Sequence, residues 1–227
     1  MQDLSPIGRA DGLFQTLRAG SKSWRDYVEH PFVKGLGDGS LPKAAFQEYL
    51  VQDYLFLIQF ARAYALAAYK SETLADIRQA AGGLSAIADV EMRLHVAFCG
   101  DWGLTEADME AAPERQETMA YTRYVLEAGL AGDLLDLHVA LSPCILGYGE
   151  IGLALKDRSP PGNPYQPWID MYAGEEYQDA ARAEAEHLDR LMERRGGPGR
   201  TPGLRKTFEQ ATALEAAFWE MGWRRQD

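Results

Sequence analysis

The chain has 227 residues, of which 46% are hydrophobic and 25% charged, the composition of a globular protein with one sizeable core and not of a disordered chain. Lys and Arg total 23 against 34 Asp and Glu, a formal charge of −11, which excludes the basic footprint required by nucleic acids and anionic lipid surfaces. Two cysteines, Cys99 and Cys144, are too few for a disulfide framework or a cysteine-ligated structural zinc.

Helical periodicity dominates the whole length, rich in Ala, Leu, Glu, Arg and Gln, with no competing run of alternating β-branched residues. The predicted helices are 10–29 (broken near Gly20), 43–69, 72–99, 114–128, 133–157, 165–195 (bent near Gly174) and 202–224. Between them lie the turn clusters GLGDGSLP, CGDWG, AAPE, GLAGD, RSPPGNP and GGPGRTPG, in which Gly supplies positive φ and Pro prevents helix continuation. No break is long enough for a linker, so 1–227 reads as a single domain, with 1–25 as an N-terminal helical extension. Segment 43–69 is apolar nearly all round, which belongs at the centre of a bundle. An all-α fold is therefore expected, with helices packed around one or two central ones. The opening MQDLSPIGRADG has no apolar signal-peptide core, and no uninterrupted apolar run approaches the ~20 residues that cross a bilayer. A soluble, cytoplasmic protein with free thiols is the expectation.

Several polar residues interrupt apolar helix faces. Asp53 lies on the stripe Tyr49, Asp53, Phe56, Phe60, Ala63; a carboxylate there is a helix-surface group, is satisfied by a structural hydrogen bond, or lines a cavity. Glu91 and His95 form an i, i+4 pair, and Glu184 with His187 gives one Glu-x-x-His match in a stretch that reads as a solvated face. One copy falls short of the two that a di-iron carboxylate bundle needs. Tyr121 and Tyr124, and Trp168 with Tyr172, give aromatic faces that suit either core packing or a pocket with hydroxyls. In LSPCILGYGE (141–150), Pro143 predicts a kink or restart, with Ser142 as N-cap and Cys144 in the first turn of a new helix. That position would lower the thiol pKa, although a buried cysteine also serves as inert packing. Tyr148 follows on the same face. Cys99, at a helix end, reads as structural. In the last helix, opened by Thr201 and Pro202, Glu215 interrupts the stripe Leu204, Phe208, Ala211, Phe218, Gly222. An apolar wall would raise its pKa, as suits a general acid, unless it pairs with an Arg or caps a backbone.

The segment HPFVKGLGDGSLPKAAFQEYLVQDYLFLIQFARAYALA (30–67), with EMRLH, ALSPCILGYGEIG, NPYQPWIDMY and LEAAFWEMGW in the same order, strongly resembles the TenA family, the thiaminase II or aminopyrimidine aminohydrolase group, in its cysteine-containing branch. The resemblance spans nearly the whole chain after residue 25. It implies a compact all-α bundle of the haem-oxygenase type. By motif, it also implies Cys144 as nucleophile with Tyr148 four residues on, Glu215 as proton donor, Asp53 as binder of the aminopyrimidine, and Tyr121 and Tyr172 as pocket tyrosines. Many members carry a tyrosine where this chain has Phe56, whose ring packs but donates no hydrogen bond.

The implied reaction is hydrolysis at the aminomethyl carbon of an aminopyrimidine, or of thiamin, through covalent cysteine catalysis without metal or organic cofactor, in a homotetramer. The partners expected are small molecules only. Two alternatives stand beside it. One is a haem-oxygenase-like metal oxidase using His95, Glu91, Glu184 and His187. The other is a non-catalytic pyrimidine-binding or regulatory protein.

Overall fold

A computed structural model describes residues 7–225. Twelve α-helices follow one another with no β-strand among the described residues. They are α1 (Leu13–Gly20), α2 (Trp24–Val28), α3 (Pro31–Asp38), α4 (Lys43–Lys70), α5 (Leu74–Ala86), α6 (Met92–Gly100), α7 (Glu106–Glu110), α8 (Gln116–Ala131), α9 (Leu134–Lys156), α10 (Gln166–Ala173), α11 (Glu175–Arg195) and α12 (Thr201–Trp223). A π-helical turn, Ile87–Glu91, joins α5 to α6.

The expected centre of the bundle is α4, and α9 shares that place. Helix α4 packs against α5, α8 and α12, while α9 packs against α8, α10, α11 and α12. Both are apolar nearly all round, so each must be enclosed by neighbours. By length and composition α9 could cross a membrane, but 72% of its most apolar window is buried inside the protein; it is a core helix.

The chain entry belongs to the same core. Leu13, Phe14 and Leu17 of α1 are buried, Arg18 makes a bidentate pair with Glu150 at 2.7 and 2.8 Å, and the Leu13 N–H donates to Asp189. The break at Gly20 separates α1 from α2 as predicted, and Gly174 separates α10 from α11. Residues 1–6 of the predicted extension lie outside the described residues.

Four expectations are corrected. The GLGDGSLP break begins late, because α3 runs through the buried Gly35 and Gly37 to Asp38. The predicted 72–99 helix contains the π turn, one of the departures from α geometry that recur at functional sites. The last helix starts one residue early, with Arg200 as N-cap and Thr201 inside it. Most consequentially, α9 does not restart at Pro143: the helix runs straight through it. Pro143 has no N–H to give the Val139 carbonyl, and the Ser142 hydroxyl donates to that carbonyl instead, at 2.9 Å. The missing backbone bond is thus replaced locally, so nothing forces a new helix start.

Candidate active site

The residues singled out on separate helices converge in the interior between α4, α8, α9, α10 and α12. Tyr121 of α8 donates its hydroxyl to Glu215 Oε1 of α12 at 2.8 Å. Asp53 Oδ2 of α4 accepts the Tyr49 hydroxyl at 2.9 Å and lies 2.6 Å from His95 Nε2. The other ring nitrogen of His95 lies 2.8 Å from the Glu91 backbone carbonyl. Tyr148 packs edge-on to Tyr172 at 4.9 Å, and its hydroxyl lies 3.5 Å from that of Tyr49. Phe56 packs against Tyr121 and Phe218, at 5.0 and 5.6 Å between ring centres.

Two glycines of α9 permit this convergence. A Cβ on Gly152 would sit 2.6 Å from the backbone carbonyl carbon of Tyr172, so α10 rests directly on the α9 backbone and brings Tyr172 beside Tyr148. A Cβ on Gly147 would strike the Tyr27 ring at 2.2 Å. The Tyr27 hydroxyl donates to the Pro143 carbonyl at 3.2 Å.

Cys144 is half-buried, and it lines a cavity of about 310 Å³. Phe60, Tyr64, Glu91, Tyr177 and Glu184 line the same cavity, which reaches Arg78, Gln79 and Glu176. Asp53, Glu215 and Tyr121 are not on its wall; they are buried in the packed interior beyond. A volume of this size suits a small flat ligand.

Burial governs the electrostatics. Glu215 is pushed up to about 8, by desolvation and the nearby Asp53 charge, against the opposing hydrogen bonds from Tyr121 and the Cys144 thiol. At neutral pH it holds its proton. The Cys144 thiol is pushed well above its ordinary value, by burial and by the carboxyls of Glu215, Glu91 and Asp53. That reverses the sequence expectation: because α9 is continuous through Pro143, no free helix N-terminus faces the sulfur, and three acids do. For His95, burial works to lower the pKa, but the bond and charge of Asp53 raise it further. Cys99 is fully buried, and desolvation lifts its thiol to about 11, which agrees with a structural role.

Glu184 and His187 are buried, not solvated, which corrects the reading of their stretch as an outer face. Glu184 Oε1 lies 2.7 Å from His138 Nδ1. Among the described residues no group of three or more His, Cys, Asp or Glu side chains could hold a metal ion. The proposed set of His95, Glu91, Glu184 and His187 is not assembled, since His95 is turned to Asp53. Tyr49 and the role of His95 escaped the sequence reading: a tyrosine one turn before Asp53 was counted as stripe, and the His95 contact spans 42 positions.

The fold and the thiol–carboxyl interior define a class of all-α helical-bundle proteins. Residues 19–225 match the TENA/THI-4/PQQC family, and the chain belongs to it. It is 47% identical to a TenA family transcription regulator of Silicibacter sp. TM1040, with a TM-score of 0.90 over 96% of this chain and 98% of that one. An uncharacterised Haemophilus influenzae protein is 39% identical over 92% of this chain and 97% of its own. The aminopyrimidine aminohydrolase of Halalkalibacterium halodurans is 38% identical, over 88% of this chain and 90% of its own.

Proposed function

We propose that this protein hydrolyses 4-amino-5-aminomethyl-2-methylpyrimidine, and thiamin, to the hydroxymethylpyrimidine, with Cys144 as covalent nucleophile. The coarser activity, a hydrolase of the aminopyrimidine aminohydrolase or thiaminase II type, rests on the family and on relatives of that name. The finer reading is supported above all by one observation: Cys144 opens onto a cavity while Glu215, protonated at neutral pH, meets its thiol from α12.

Asp53, held by Tyr49 and His95, accepts from the exocyclic amine of the substrate. Tyr121, Tyr148 and Tyr172 flank the flat ring, and Phe56 packs against its neighbours. Sulfur bonds to ring carbon C6. The thiol gives its proton to one oxygen of the Glu215 carboxyl while the other delivers its own to the ring nitrogen, so a high thiol pKa is compatible with attack. Loss of aromaticity lets the ring electrons expel the group on the methylene. Water bonds there and loses one proton, which balances the one that the amine takes with it as ammonia; the carbon–sulfur bond then breaks and the ring proton returns through Glu215 to the sulfur. Covalent catalysis of this kind divides one difficult displacement into easier steps. A homotetramer in the cytoplasm belongs to this reading, and the exposed Tyr69 and Leu74 offer apolar surface for subunit contacts.

Cys144→Ser tests it. Turnover of the aminomethyl compound falls at least ~100-fold, about 2.7 kcal/mol of barrier, while the protein still binds the hydroxymethyl product. A serine variant as fast as the parent overturns the mechanism. A parent that binds the pyrimidine and releases no product leaves a binding protein instead.

A further inference from the structure

One acid on the cavity wall has no part in the steps above. Glu91 closes the π turn at the start of α6; it lines the same cavity as Cys144, with Tyr172 nearby. Its placement differs from that of the other two acids near the sulfur. Asp53 and Glu215 are buried in the interior beyond the cavity, whereas Glu91 is on the cavity wall with Cys144.

We propose, resting on the function above, that Glu91 is the leaving-group acid and water base of the hydrolysis: its carboxyl shares the proton with which the amine departs, then takes a proton from the incoming water. When the carbon–nitrogen bond breaks, its electron pair goes to nitrogen, which keeps the shared proton and leaves as ammonia; Glu91 remains as carboxylate. The water oxygen then bonds to the methylene carbon and its proton passes to Glu91, restoring the carboxyl. Burial and the Asp53 charge push Glu91 up to about 7, against His95 and the Tyr172 hydroxyl, so both of its forms are available near neutral pH, as an acid that turns into a base requires. Glu184 shares the cavity but does not suit this role: burial raises it, and the charge and hydrogen bond of His138, with the charges of His187 and Arg190, together hold it below its ordinary value. Glu176 is exposed at the cavity's outer end.

The choice of substrate separates this role from a structural one. Ammonia departs with a proton from the shared pair, whereas the thiazolium of thiamin takes its electron pair and leaves as a neutral thiazole without one; the acid role therefore acts on the aminomethyl compound alone, and the water-base role, common to both substrates, gives the smaller loss shared by thiamin. Glu91→Gln is therefore expected to lower kcat on the aminomethylpyrimidine at least ~100-fold and on thiamin less than tenfold. Glu91→Asp should recover part of the loss, and affinity for the hydroxymethyl product should be unchanged. Equal losses on both substrates, no loss on either, or failure of Glu91→Gln to bind the product would each overturn the assignment. A wild type inert on both compounds would instead overturn the function itself, and this role with it.

Discussion

Tyr121 and the Cys144 thiol approach the Glu215 carboxyl, and this small group explains why a phenylalanine at position 56 is tolerable. Phe56 offers no hydroxyl to the thiol, yet the sulfur keeps the Glu215 carboxyl as a polar neighbour. Phe56→Tyr should consequently leave activity equal, or raise it by up to the ~1 kcal/mol of one net hydrogen bond, roughly fivefold. A large loss in steady-state turnover would mean that the pocket is shaped around the bare ring. Asp53 and Glu215 were each visible in the sequence as a polar interruption of an apolar stripe, because helical period alone assigns a residue to a face, and Cys144 stood out by its place after Pro143. Their partners were not visible. Tyr49 looked like one more aromatic in the stripe, and the His95–Asp53 contact joins residues from different helices.

At the scale of the element, α9 carries the most information. Proline inside a helix ordinarily costs ~3 kcal/mol or more, and the sequence pattern alone favours a restart. The Ser142 hydroxyl on the Val139 carbonyl and the Tyr27 hydroxyl on the Pro143 carbonyl remove that pressure, and with it the helix N-terminus that would have activated the thiol. The same helix places Tyr172 through contact at Gly152. Gly152→Ala forces its Cβ against the backbone of α10, which should cost ~1–3 kcal/mol by overpacking. In a domain of this size that is a fall of roughly 2–12 °C in Tm. Displacement of Tyr172 should also raise KM more than it lowers kcat. Calorimetry and steady-state kinetics on the variant check both outcomes. The π turn at Ile87–Glu91 had no sequence signal, since one extra residue in a helical turn leaves the apolar pattern nearly intact.

For the whole molecule, the buried acids set the response to pH. Glu215 and Glu91 are raised to about 8 and about 7, chiefly by desolvation, and His95 is also raised. A group raised on folding binds its proton more tightly in the native state, so its contribution is complete below the unfolded pKa and is lost as pH climbs through the folded one. Glu215 alone accounts for ~3–5 kcal/mol across that range. His187 and His30 oppose this: burial depresses both, His187 to about 4, so their contributions are full above the unfolded value and lost as pH falls. The three raised groups, with Glu215 and Glu91 lifted furthest, outweigh the two depressed histidines, and the ligand-free protein should be more stable near pH 5.5 than at pH 8.5. Chemical denaturation at the two pH values measures this directly, with Glu215→Gln expected to flatten the difference.

The all-α architecture, the central place of 43–69, the breaks at Gly20 and Gly174 and the helix stripes that carry Asp53 and Glu215 were determined by the sequence alone, because local periodicity and turn chemistry act over a few residues. Only the tertiary structure decided that Pro143 leaves α9 whole, that Glu184 and His187 are buried, that the thiol is held protonated among acids, and that Glu91 faces the cavity. Each of those depends on what a distant helix places against the residue, and burial and charge act through space without regard to separation along the chain.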